Sequence, residues 1–355
     1  MKKRHLFTTL IFVFCLTLLL TACGGNENEP ESTTSTTEIT TTEAPAPVYY
    51  NSLTGKSGLS EEAAGKRPVA VMINNIKAAL PQYGINQADV IYEVVAEGGI
   101  TRMIALFSDY RQVKQIGSVR SARPYYLQLA ASHKAILFHY GTSTQAKSLI
   151  SQKGLKTVDG MVYSRTAYFF DAERDKTYSR EHCSFTGAEF ITAGLAKKGY
   201  SLEGESAPVF NFVSVLEPPT NITYGKANTI TWDFSSYGKG MKLIYNPETL
   251  EYEKHEYGNP QIDMNDNSTL SVDNVFILFD NIYVIDNVGH MGVDLDGGKG
   301  YYFTKGTYMP IVWEKSGFDD MIKYYDTEGN ELKVNVGQTY IAIVSEKNEK
   351  TLVIQ

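Results

Sequence analysis

Apolar residues recur along this chain in two patterns: short β-branched and aromatic runs closed by Gly or Asn, and a few stretches at helical spacing. Arg67-Pro-Val-Ala-Val-Met-Ile73, ending in Asn74-Asn75, and Ala135-Ile-Leu-Phe-His139, ending in Gly141-Thr-Ser143, read as strands. Ser143 or Thr142 is placed to cap a helix through Ile150, Pro124 opens another that residues 127–133 continue, and 187–198 form a third, stopped by Gly199. Beyond Glu217-Pro218-Pro219 the pattern changes to short strands at 229–233, 275–279, 309–313 and 340–344, punctuated by Gly297-Gly298, Gly306, Gly329-Asn330 and Gly337. The expected fold class is α+β: a mixed α/β N-terminal domain over 56–217 followed by a mainly antiparallel β C-terminal domain over 218–355.

The N-terminus breaks both patterns. Lys2, Lys3 and Arg4 precede an apolar run over 6–20, then Leu20-Thr21-Ala22-Cys23-Gly24. A basic start, a short apolar stretch and small residues before a cysteine describe a lipoprotein signal peptide over 1–22, with lipid attached to Cys23. The run falls short of the roughly 20 residues that span a bilayer. From 23 to 55 the chain turns to Thr, Ser, Glu and Pro, with no Lys or Arg between Arg4 and Lys56; such a segment has little to bury and reads as a disordered tether. The expected location is therefore the outer face of the bacterial cytoplasmic membrane, after secretion.

The formal charge of −7 sets nucleic acid aside as a partner. Loss of Lys2, Lys3 and Arg4 with the signal takes it to −10, so the lipid on Cys23 and not charge must hold the chain to the membrane. Three cysteines build no disulfide framework.

Two stretches carry candidate chemistry. In the first, Gly98-Gly99 joins two β-rich runs, and a two-residue turn there pairs Glu97 with Ile100, Val95 with Arg102 and Glu93 with Ile104. One face then reads Val90, Tyr92, Val94, Ala96, Thr101, Met103, Ala105 and Phe107, and is core. The other gathers Asp89, Glu93, Glu97 and Arg102, either as a solvated face with a cross-strand ion pair or as a functional cluster. Glu93 and Glu97 alone stand about 13 Å apart, too far for a hydrolytic carboxylate pair at roughly 5–9.5 Å. In the second stretch, Gly117-Ser-Val-Arg-Ser-Ala-Arg-Pro124, Ser118, Arg120, Ser121 and Arg123 sit before a helix N-terminus, an arrangement suited to an anion. The alternative is that these arginines pair with Asp89, Glu93 or Glu97 inside the fold. A return helix over the sheet would make the two stretches one site, with His139 as a further ligand-binding candidate.

Arg67-Pro-Val-Ala-Val-Met-Ile-Asn-Asn75, the Ala88-Asp-Val-Ile-Tyr-Glu93…Glu97-Gly-Gly-Ile-Thr-Arg102 stretch and Gly117–Pro124 resemble the YerB-like lipoprotein family of Gram-positive bacteria. Gly306, Trp313-Glu-Lys315 and Gly337-Gln-Thr-Tyr-Ile341 are similar to its C-terminal domain. The resemblance implies an envelope lipoprotein of two domains with no assigned reaction. It also implies Asn where this chain has Cys183, which weakens a nucleophile role for that thiol beside His182.

Asp294-Leu-Asp296-Gly297-Gly298 begins like a calcium loop but has Lys305 where the twelfth-position Glu belongs, and reads as a Gly-Gly hairpin turn. No His/Cys spacing suits zinc and no phosphate-loop or dinucleotide fingerprint occurs, so no metal or cofactor is expected. The leading expectation is a non-catalytic lipoprotein that binds an anionic cell-wall or peptide ligand, or an envelope protein, through Arg102, Arg120 and Arg123. Its rivals are a wall-active hydrolase using Glu93 or Glu97 with a partner distant in sequence, and an envelope scaffold.

Overall fold

The computed structural model describes residues 47–204, 208–214 and 224–355. The expected signal peptide, Cys23, most of the tether and the Glu217-Pro218-Pro219 junction lie outside the described residues.

The fold is α+β. Its elements in chain order are β1 (Val69–Asn75), β2 (Val90–Val95), β3 (Thr101–Phe107), α1 (Pro124–Ser132), β4 (Ile136–His139), α2 (Thr144–Lys153), β5 (Thr157–Asp159) and α3 (Ala188–Lys198). There follow β6 (Thr229–Trp232), β7 (Met241–Asn246), β8 (Glu251–Glu256), β9 (Asn274–Asp280), β10 (Gly297–Thr304), β11 (Thr307–Glu314) and β12 (Thr339–Ser345). The caps are those expected: Ser143 accepts from the Ala146 N–H at the start of α2, Pro124 opens α1, and Gly199 ends α3 in the left-handed region at φ 63°.

One large sheet runs β11-β10-β9-β12-β2-β3-β1-β4-β5, so segments from both sides of residue 217 share it. β12 lies between β9 and β2 and is parallel to both. β1, β4 and β5 are mutually parallel, with α2 as the β4–β5 crossover. A second sheet, β8-β7-β6, is antiparallel. Trp232 of β6 lies 6.3 Å from Tyr340 of β12, ring centre to ring centre. On the hairpin's other side α1 packs down, where the hydroxyls of Tyr125 and Tyr126 donate to the carbonyls of Val95 and of Val94 and Arg102. With both faces covered, β1, β2 and β3 are buried at every position.

The hairpin register differs from the expected one by a single residue. Glu97-Gly98-Gly99 is a three-residue loop closed by the Ala96 N–H on the Ile100 carbonyl at 2.6 Å, with Gly98 and Gly99 at φ 67° and 76°. Glu93 therefore pairs with Met103, Val94 with Arg102 and Val95 with Thr101. A one-residue slip moves a side-chain set to the opposite face, so Glu93 and Arg102, expected together, stand on opposite faces of the sheet. Gly297-Gly298 is likewise no turn. It opens β10, and a Cβ on Gly298 would lie 2.5 Å from the Phe279 carbonyl of the neighbouring strand.

Glu93 is fully buried between the two sheets. Its Oε1 accepts from Thr101 at 2.5 Å, Asn75 at 2.8 Å and Lys239 at 2.9 Å, and its Oε2 from the Tyr340 hydroxyl at 2.7 Å, with the Lys254 ammonium 3.1 Å away. Glu256 lies 2.8 Å from Lys239 and 3.2 Å from Lys254, so two carboxylates face two ammonium groups. Burial by itself would raise the Glu93 carboxyl, but the two lysines outweigh it and hold the group charged, well below the usual carboxylate range.

On the α1 side Glu97 is clamped by two arginines. Arg102 donates to it at 2.5 Å, and Arg123 grips both its oxygens, through Nη2 on Oε1 and through Nε on Oε2 at 3.1 Å. Arg102 also donates to the Ser121 carbonyl at 3.2 Å, and Arg123 to that of Ala122 at 2.9 Å. The clamp thus fastens the hairpin tip to the segment leading into α1. Burial opposes the charged Glu97, yet the guanidinium charges hold its pKa down at about 2.

Two outcomes follow from these clusters. Glu93→Gln leaves two buried ammonium groups facing one carboxylate and should cost about 3–5 kcal/mol; an unchanged urea midpoint would contradict this account. For Glu97, a quarter exposed, the expected loss in Glu97→Gln is smaller, roughly 2 kcal/mol at neutral pH. Because its folded pKa is depressed, that contribution is present above the ordinary value of 4.5 and fades as pH falls toward about 2. Melting curves of wild type and Glu97→Gln should therefore converge over that acid window; a constant gap would show that the clamp charge is not the cause.

Candidate functional site

The sequence candidates separate into five places. Asp89 accepts from Asn51 at 2.8 Å and from the Ser108 N–H at 2.6 Å, anchoring the start of β2. Glu93 sits in the inter-sheet network. Glu97, Arg102 and Arg123 form the clamp, with Arg102 2% and Arg123 6% exposed, so these two arginines are committed to the fold and are not offered to a ligand. Ser118 is buried and its carbonyl accepts from the Asn74 N–H. Arg120, Ser121 and His139 alone line a common cleft.

That cleft, about 1310 Å³, opens beside the carboxyl ends of β4 and β5. Carboxyl ends of parallel strands are where open α/β sheets leave room for ligands, because the chain departs there into loops. The Ser118–Arg123 segment is held along this edge: the Tyr140 N–H donates to the Arg120 carbonyl and the Ala122 N–H to that of Gly141. At the end of β5, Asp159 Oδ1 accepts from the N–H groups of Gly141 and Met161, both at 2.9 Å, and caps the helical turn Gly160–Tyr163. Gly160 is required there, since an added Cβ would lie 2.2 Å from the Tyr140 ring.

The walls are cationic. Arg120, Lys147, Arg165, Arg180 and Lys198 face two carboxylates, Asp159 and Glu181. Arg120 donates to Glu181 at 3.0 Å, while burial and the charge of Arg102 both push its guanidinium pKa down. The Glu181 carboxylate opposes that shift. Met161 and Val162, 68% and 70% exposed, give one rim apolar surface, and Arg180 stacks 4.4 Å over the Phe170 ring opposite.

His139 is 1% exposed. Its Nδ1 lies 2.9 Å from the Gly141 carbonyl and 3.9 Å from Asp159. Burial lowers its pKa, against the pull of Asp159. His182, by contrast, is tied to Asn74 at 2.9 Å, and the buried Cys183 contacts the Ser179 carbonyl at 3.5 Å. Burial raises that thiol's pKa, so it has no activated-nucleophile character.

Lys147, Asp159, Arg165, Arg180, Glu181 and Lys198 were not singled out as site residues by sequence. Arg180 and Glu181 do stand in a conspicuous charged run over 170–183, but nothing local ties that run to β4 and β5, which lie 20 to 40 residues upstream.

Two family models match: "Protein of unknown function (DUF3048) N-terminal domain" over residues 53–201 and the corresponding C-terminal domain over 222–341. The chain is similar to "Putative lipoprotein YerB" of Bacillus subtilis (strain 168), 29% identical over 346 residues, covering 97% of this chain and 96% of that protein. The crystal structure of the YerB protein from Bacillus subtilis superposes with a TM-score of 0.76 at 26% identity, over 86% of this chain and 99% of the other. Both halves are thus matched, and in the same order as the paired domains. The chain belongs to the YerB-like lipoprotein family.

Proposed function

We propose that this protein is a lipid-anchored binding protein at the outer face of the bacterial cytoplasmic membrane, and that the cleft beside β4 and β5 takes an anionic cell-wall ligand. The signal-like start, the cysteine at 23 and the lipoprotein name of the Bacillus subtilis relative support the anchoring. The observation that carries the binding is the gathering of five cationic side chains against two carboxylates in a chain whose overall formal charge is −7. An open cleft of this size, larger than the usual 300–1,000 Å³ small-molecule pocket, suits a stretch of polymer.

A hydrolase built on Glu93 or Glu97 finds no support in the geometry. Glu93 is sealed between sheets by two lysines, and Glu97 has both oxygens engaged by arginine. Neither carboxylate is free to exchange a proton with a substrate.

Titration calorimetry of the intact protein in detergent micelles, with a glycerol-phosphate oligomer as probe, tests the reading. Binding should weaken as salt rises, and Arg165→Glu combined with Arg180→Glu, both on exposed side chains, should reduce affinity at least about 10-fold. Equal affinity for wild type and the double variant would overturn the site.

A further inference from the structure

Met161 and Val162, 68% and 70% exposed, stand side by side on the helical turn that follows β5. Their exposure is built into the turn. Asp159 caps it through the Met161 N–H, Gly160 is buried against the Tyr140 ring, and Tyr163 packs back onto the core. The pair keeps company with cations: Arg165 lies three residues on, and Lys147, Arg165 and Arg180 are all exposed at the same cleft. Over 143–200, nine Lys and Arg stand against six Asp and Glu, a net +3 within a chain of −7. A second exposed apolar run, Tyr283, Val284, Ile285 and Val288, lacks such company, because 281–298 contains Asp286, Asp294 and Asp296 and neither Lys nor Arg.

We propose that this rim of the cleft docks on an anionic phospholipid surface, with Met161 and Val162 entering the headgroup layer and Lys147, Arg165 and Arg180 meeting lipid phosphates. The inference rests on the lipid anchor at Cys23 and on the cationic cleft, and adds the surface against which that cleft works. At a membrane interface the burial of apolar side chains and the attraction of basic ones to anionic lipid reinforce each other, and this rim presents both within a few residues. The remainder of the chain is acidic and is repelled by the same surface, so the positive segment turns toward it. Residues 24–46 separate Cys23 from the described chain, a contour of at most about 80 Å, long enough for the rim to reach the bilayer. Anchoring makes the encounter intramolecular, at an effective concentration in the millimolar range. A contact too weak to recruit a free protein is then sufficient to orient an anchored one.

Brominated lipids quench tryptophan on contact and so report which face touches the bilayer. Trp232 and Trp313 are buried, 2% and 1% exposed, and give a constant background. The lipidated protein carrying Val162→Trp is placed in vesicles of brominated phosphatidylglycerol or brominated phosphatidylcholine. Val312→Trp serves as the comparison, since that side chain is 44% exposed on β11, across the large sheet from β5. The Val162→Trp contribution should fall about twofold in phosphatidylglycerol and recover as salt rises. It should stay unquenched in phosphatidylcholine, as should Val312→Trp in both lipids, and adding Arg165→Glu with Arg180→Glu should abolish the effect. Quenching of both reporters alike, or of neither, would overturn the docking; if the glycerol-phosphate oligomer still binds in micelles, the anion site survives that result. Quenching that persists without oligomer binding would support the docking and remove the wall-ligand reading instead. A blue shift of Val162→Trp in micelles that grows with protein concentration would assign the rim to a second copy and overturn the proposal. Failure of the protein to float with either vesicle would remove the anchor, and this inference with it.

Discussion

Burying a carboxylate is tolerable only where cations and donors replace the water it loses. Glu93 meets that condition with groups from distant parts of the chain: Asn75 on β1, Thr101 on β3, Tyr340 on β12, and the ammonium groups of Lys239 and Lys254. Both cations come from beyond residue 222, the start of the C-terminal domain match. The segment over 53–201 by itself would leave Glu93 facing no cation. The same dependence appears in the backbone, where β12 completes the sheet between β9 and β2. The halves are therefore joined by hydrogen-bonded strands and by a charge network that neither satisfies alone.

A second ionic cluster acts at shorter range. The Glu97 clamp joins the hairpin tip to the segment entering α1, and so sets where Arg120 and Ser121 emerge. Arg102 and Arg123 are consumed by this positioning, whereas Arg120, between them in sequence, points to the cleft and to Glu181. Three arginines within about twenty residues thus divide between holding the fold and lining a site. What separates them is whether Glu97 lies within reach.

The cleft owes its character to strand ends. β4 and β5 deliver His139 and Asp159 to the cleft, and the segment over 160–198, from the turn after β5 to the end of α3, supplies most of the cations. Its chemistry is lopsided: five cationic side chains stand against the carboxylates of Asp159 and Glu181. Charge sets the class of ligand that such a surface attracts.

The sequence by itself determined the α+β class, the strand at 69–75, the Ser143 cap, the proline-opened α1 and the Gly199 stop, all of which rest on local backbone chemistry. It also marked Glu97, Arg102, Arg120, Arg123 and His139 as residues of interest. It did not determine which of them meet. A loop of three residues where two were expected shifts the hairpin by one position, and in a pleated strand that sends Glu93 and Arg102 to opposite faces. Alternation could not reveal this, because both faces of β2 and β3 are buried and the polar residues on them are paired. Lys239 and Lys254 lie some 150 residues from Glu93, and Arg165 and Arg180 reach the cleft on loops, and Lys198 at the end of α3, by a course that no local pattern encodes. Only the tertiary structure decided these encounters, since they depend on sheet order and loop packing and not on the preferences of any one segment.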